Sequence, residues 1–171
     1  MAVFFIMLGK TNVLALSSIV SSPTPTVSVD YTLPYPGILP DHPLYFLKVI
    51  RDEILGWFIN DPIKKVEFEL LMADKRIKMA EILFEEGKND LSLATVSRGE
   101  KYLSRAIDDL VTARKNNPTV GANLTDKLKS AVLKHKEIVS EIMSKVNSRQ
   151  NEWQEIVTLI NSNVNTLNRL K

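Results

Sequence analysis

The 171-residue chain contains no cysteine. That single absence excludes disulfides, thiolate metal sites, covalent haem attachment, a cysteine nucleophile and the lipid-modified cysteine of a bacterial lipoprotein. Histidine is nearly as scarce, with only His42 and His135, and the Glu-x-x-His signature of di-iron bundles is missing. No glycine-rich phosphate loop and no G-x-S-x-G elbow can be found. No run of 18 or more apolar residues occurs, so nothing supports an ordinary membrane-spanning helix. An excess of one charge is lacking too. The 22 Lys and Arg stand against 20 Asp and Glu, a net +2, which is too balanced for a nucleic-acid binder.

What is present is enough to fold. Hydrophobic residues make up 44%, sufficient for a packed core in a chain of single-domain length. The first segment, Ala2-Val3-Phe4-Phe5-Ile6-Met7-Leu8, is apolar, and Val13 and Ala15 suit the small-residue positions before a cleavage site. Residues 1–15 are therefore expected to be a signal-peptide-like leader, although no Lys or Arg precedes the apolar run and Lys10 follows it. The mature chain should begin near Leu16. Residues 16–30, rich in Ser, Thr and Pro, bury too little to offset their ordering entropy and read as a flexible linker. In Tyr31–Pro40, three prolines enforce extended backbone while Leu33, Tyr35, Ile38 and Leu39 make the segment adhesive. It is expected to lie against helices, with Gly37 supplying a turn.

Beyond this point the period is helical throughout. A first helix should start at Asp41-His42-Pro43 and run to about Ile59. Its apolar residues nearly encircle it, which calls for neighbours on more than one side. Asp61 caps a second helix from Pro62 to about Glu86, ended by Gly87. Its seam is Val66, Leu70, Ala73, Ile77, Ala80 and Phe84. A third helix from Asn89-Asp90 to Asn116-Asn117 carries the seam Val96, Gly99, Leu103, Ala106, Leu110 and Ala113, where the small residues permit close approach. A fourth begins near Asn123 with Leu124, Leu128, Ala131, His135, Ile138 and Ile142 on one face. Neither Gly nor Pro follows Gly121, and Val146, Trp153, Ile156 and Ile160 continue the stripe in phase. One unbroken helix to the C-terminus, overshooting the bundle, is predicted in preference to the alternative, a break and fold-back onto the bundle. Its projecting apolar stripe, Trp153, Ile156, Ile160, Val164 and Leu167, is the candidate interaction surface.

The polar residues point to no chemistry. His42 belongs to a helix-start turn, and His135 reads as a hydrogen-bonded seam histidine without a ligand-spaced partner. Glu67/Glu69, Glu85/Glu86 and Asp108/Asp109 fall off the seams and read as solvated, as do Lys64-Lys65 and Lys75-Arg76. Asp74 and Lys78 are spaced for an i,i+4 pair. Met72 and Met79 should fill core gaps. No catalytic, cofactor-binding or metal residue is assigned, and no cofactor is expected.

The run Leu33-Pro34-Tyr35-Pro36-Gly37-Ile38-Leu39-Pro40-Asp41-His42-Pro43-Leu44-Tyr45-Phe46-Leu47-Lys48 resembles the opening of a bacterial family of unknown function, DUF5667. Asp61 to Phe68 and Ala73-Asp74-Lys75-Arg76 look like its next block, and the Lys101-Tyr102-Leu103 region is similar to its third helix. The resemblance spans roughly residues 31–115. It implies an exported or surface-exposed helical domain behind a leader or anchor, and no catalytic residues.

The expectation is thus an all-α, antiparallel bundle of about four helices with a long C-terminal helix, preceded by a leader and a Pro/Ser/Thr-rich linker. Residues 31–118 form the DUF5667-like domain and 119–171 the long C-terminal helix, packing on the bundle or extending from it. The expected role is that of an exported, non-enzymatic structural or interaction module of the cell envelope. It should bind a protein partner or a second copy through the C-terminal helix, with no nucleic acid and with membrane proximity through the N-terminus. The alternative is a small-ligand or ion-sensing bundle, its site near His135 and the Tyr35/Trp57 aromatics.

Overall fold

The computed structural model describes residues 28–170. Within them the chain forms five α-helices and no strand: α1 (Tyr45–Trp57), α2 (Pro62–Glu85), α3 (Asn89–Asn116), α4 (Ala122–Lys145) and α5 (Gln150–Arg169). The leader-like residues 1–15, and the linker up to residue 27, lie outside the described residues.

Asp61 starts α2 as its sequence suggests. Its side chain accepts from the Ile63 and Lys64 amides at 2.9 and 3.0 Å, with Pro62 in the first turn,. The following helix returns along it. Ala80 O accepts from Ser92 Oγ at 2.7 Å, Ala73 O lies 3.4 Å from where a Gly99 Cβ would stand, and Lys65 Nζ meets Asp109 at 3.0 Å. One residue number falls as the other rises, so α2 and α3 form a hairpin. Gly99 is what permits the close approach, because a Cβ there would also press on Arg76 Cβ at 3.2 Å,. At the α3–α4 corner Gly121 has φ +65°, and a Cβ would meet Leu110 Cδ1 at 2.8 Å. Both reasons confine that position to glycine.

The predicted C-terminal helix is broken. α4 stops at Lys145, Val146 is extended, and Arg149 takes left-handed φ/ψ of 55° and 36° before α5 begins. A non-glycine residue in that region costs about 1–2 kcal/mol. Each large apolar side chain left in water by a projecting helix would forgo about 1.5–3 kcal/mol, and α5 has several. Folding back wins. Trp153 is 1% exposed, and Ile156, Ile160 and Leu167 are buried with it, while Val164 packs on the same cluster. The candidate interaction surface is therefore part of the core, and the expected projecting arm does not exist. Its phase matched that of α4 because both helices turn their stripes to one centre. α5 then runs in the direction of α3, with Arg149 beside Asp90 at 3.2 Å and Ser104 bonded to Asn163 at 3.1 Å.

The core joins the seams of α2, α3 and α4 to the α5 stripe. Met72 and Met79 are buried, as expected of gap fillers,. The segment before α1 has neither helix nor strand, and Tyr31 and Leu33 pack on the core while Tyr35 and Ile38 remain exposed. Lys48 holds it by donating to Pro36 O at 2.8 Å and Ile38 O at 3.3 Å. α1 itself begins at Tyr45, later than Pro43. Asp41 is engaged by Lys88 at 2.6 Å, and His42 Nδ1 accepts the Leu44 amide instead of a helix-start bond.

Candidate functional site

His135 sits where the seam of α4 crosses α2 and α3, with no exposure at all. Its Nδ1 faces Glu100 Oε1 at 2.9 Å and its Nε2 faces Asp74 Oδ1 at 3.0 Å. Asp74 also accepts from Tyr31 Oη at 2.6 Å. Four stretches of chain thus meet at one charged centre. Burial alone would strip the imidazole of its proton, but the Glu100 and Asp74 carboxylates outweigh it and hold the pKa at about 9,. Burial, then the bond to Asp74, raises the Tyr31 phenol far above its ordinary range. The second oxygen of Glu100, Oε2, has no partner among the described residues.

The sequence had placed His135 correctly as a hydrogen-bonded seam residue. The i,i+4 spacing of Asp74 and Lys78 does not make a pair, and the carboxylates that reach His135 come from other helices, not from ligand-spaced positions beside it. Lys78 pairs with Glu81 at 2.6 Å, leaving Asp74 for the core. No motif could have shown this, because the partners lie 61 and 35 residues from His135. Nor does the cluster form a metal cage. The ring nitrogens point to different carboxylates, and no group of three or more His, Asp or Glu converges on a common point among the described residues,. Closed to water, and with both nitrogens engaged, it locks helices together; no group here touches a space a substrate could occupy. Tyr35 and Trp57, the aromatics of the alternative sensing site, are 84% and 78% exposed, whereas His135 is fully buried. Glu69 and Arg76, expected to be solvated, are buried as well.

The unusual surface is α1, which is turned inside out. Toward the bundle it presents Tyr45 and Asp52, both buried, together with half-buried Lys48, Val49 and Gly56. Gly56 lets α1 approach α2, since a Cβ there would stand 3.2 Å from Phe68 Cε1. Outward it presents Phe46, Leu47, Ile50, Ile54, Trp57 and Phe58, with Trp57 and Phe58 each 78% exposed. Spacings of 3 and 4 put all six on one face. The sequence pattern is that of a helix greasy on most sides, but among the described residues a neighbour covers one side only.

Fold and sites together define an all-helical protein with an ion-locked core and a bare apolar helix face. Its chain matches the family model described as "Domain of unknown function (DUF5667)" over residues 37–166, and it belongs to that family. The match runs past the 31–115 stretch that carries the resemblance and takes in α4 and nearly all of α5. Among curated proteins and among solved structures nothing matches this chain.

Proposed function

We propose that the chain is an exported, non-enzymatic interaction module, an antiparallel helical bundle that pairs with a second copy of itself through the outer face of α1. The observation that carries this reading is the six-residue apolar stripe, continued by exposed Leu44 and Leu55. At 150–250 Å² for a whole large aromatic side chain and somewhat less for Leu or Ile, scaled by exposures of 43–78%, these eight side chains offer roughly 800 Å²,. The largest patch on an ordinary monomer is about 300–600 Å², whereas a stable interface covers about 800 Å² per partner. Arg51 flanks the stripe on one side and Glu53 on the other. An anionic lipid surface would select flanking cations, so this neutral border favours protein. Among the described residues no helix is long and apolar enough to cross a membrane.

Export rests on the apolar run Ala2–Leu8 with Val13 and Ala15 behind it,. N-terminal sequencing of the protein from its host should find a start near Leu16; intact Met1 on a cytosolic protein would sink that part. For pairing, light scattering of the purified full chain should give a dimer at tens of micromolar. Ile54→Glu, at an exposed position, should give a folded monomer with an unchanged melt. A wild-type monomer that floats with neutral phospholipid vesicles would replace the second copy with a lipid surface.

A further inference from the structure

Beside α1, and distinct from its outer face, a groove of about 880 Å³ runs between α1, α3 and α5. Its apolar floor is made by Tyr45 and Val49 of α1 and Leu159 of α5. Its walls carry four cations, Arg76, Arg98, Lys101 and Arg105, against one carboxylate, Glu53. A mostly apolar concavity of this size with a few convergent charges has the make-up of a small-molecule site.

The cations are poorly neutralised. Arg98, Lys101 and Arg76 have no carboxylate within 4.0 Å among the described residues, and Arg105 reaches Glu69 only at 4.0 Å. Arg76 is 5% exposed, and among the described residues its side chain bonds only from Nη1 to Met72 O, leaving Nε unpaired. A buried cation without a counter-charge is costly. Two guanidinium carbons, of Arg76 and Arg105, each stand 4.0 Å from the centre of the Tyr102 ring. Two planar cations cannot share one ring face at that distance, so they cover opposite faces. Stacking of this kind occupies the guanidinium planes and leaves their N–H edges for a planar or tetrahedral oxyanion. Phenol and guanidinium together thus hold like charges near one another, and an anion in the groove would relieve their repulsion.

We infer that this groove binds a small amphiphilic anion, whose carboxylate or phosphate head meets Arg98, Lys101 and Arg105 and whose aliphatic tail lies on Tyr45, Val49 and Leu159. Self-pairing through α1 is not required for it.

Calorimetric titration of the full chain with laurate and with dodecyl phosphate tests the inference and tells the two head groups apart. At least one should bind, and the double variant Arg98→Gln/Lys101→Gln should weaken it tenfold or more. Lys127→Gln, an exposed cation on α4, should leave it unchanged, as should Ile54→Glu on the outer face. Inorganic phosphate and neutral dodecyl maltoside should each bind at least tenfold more weakly than the better amphiphile. Equal binding of phosphate would overturn the apolar part, and equal binding of the maltoside would overturn the anionic part. Absence of heat from both amphiphiles, or affinity indifferent to the double variant in a protein that melts normally, overturns the whole.

Discussion

The proton on His135 is held against the pull of burial, and that gives the core a pH dependence of definite sign. In the unfolded chain the imidazole titrates near 6.5, and in the folded chain at about 9. Its folded pKa is raised, so the stabilisation is fully present below about 6.5 and is lost as pH rises through about 9. Lys48, pushed down to about 8 by burial, acts oppositely between about 8 and 10.5, so the difference between proteins is the useful readout. The wild type should lose more melting temperature between pH 6 and 9.5 than His135→Gln does. His135→Ala should cost about 3–5 kcal/mol at pH 6 by chemical denaturation, because it leaves two buried carboxylates unopposed. A loss under 1 kcal/mol would show the cluster to be dispensable. Glu69 has the contrary defect. Burial first, then the charge of Asp109, lifts its pKa to about 7, against Arg105 and Lys65. The folded chain binds the extra proton between about 4.5 and 7, so this group lowers stability as pH climbs through that window. Glu69→Gln should melt higher than wild type at pH 8 and alike at pH 5; an equal difference at both would refute the titration.

Among the elements, α2 and α3 were legible almost to the residue, because caps and seams agree there: Asp61-Pro62 opens one, Gly87 follows it, and Asn117 ends the other. The reversal between α4 and α5 was not. Its only local mark is the polar run Asn147-Ser148-Arg149, and a left-handed arginine is a cost that the sequence does not advertise. Tertiary burial decides it, and a seven-residue step from Val146 to Trp153 preserves phase whether the chain continues or turns back. The same blindness hid the His135 partners and the Arg76–Tyr102–Arg105 stack, which require knowing which helix faces which. Trp153 now serves as the reporter of the reversal. Trp153→Ala should cost about 3–5 kcal/mol, and the two tryptophans should emit separately, with Trp153 shielded from aqueous quencher and Trp57 open to it. Equal quenching of both would return α5 to solvent.

For the molecule as a whole, the contrast between α1 and the rest implies a hierarchy of opening. α2 to α5 share one apolar cluster, and α2, α3 and α4 also share the His135 centre. α1 contributes only Tyr45 and Asp52 to the buried set and is tethered at its start by Lys48. Such an element can detach while its neighbours stay folded, at a free energy below that of global unfolding. Native-state hydrogen exchange should therefore resolve two cooperative units, with the amides of α1 exchanging through a low-energy opening and those of α2 and α3 only through complete unfolding. Pairing of the outer faces would merge the two, since a helix clasped by a second copy no longer opens alone. Exchange rates of α1 that fall with protein concentration, while those of α3 stay fixed, would make the loosest part of the fold a gauge of its assembly.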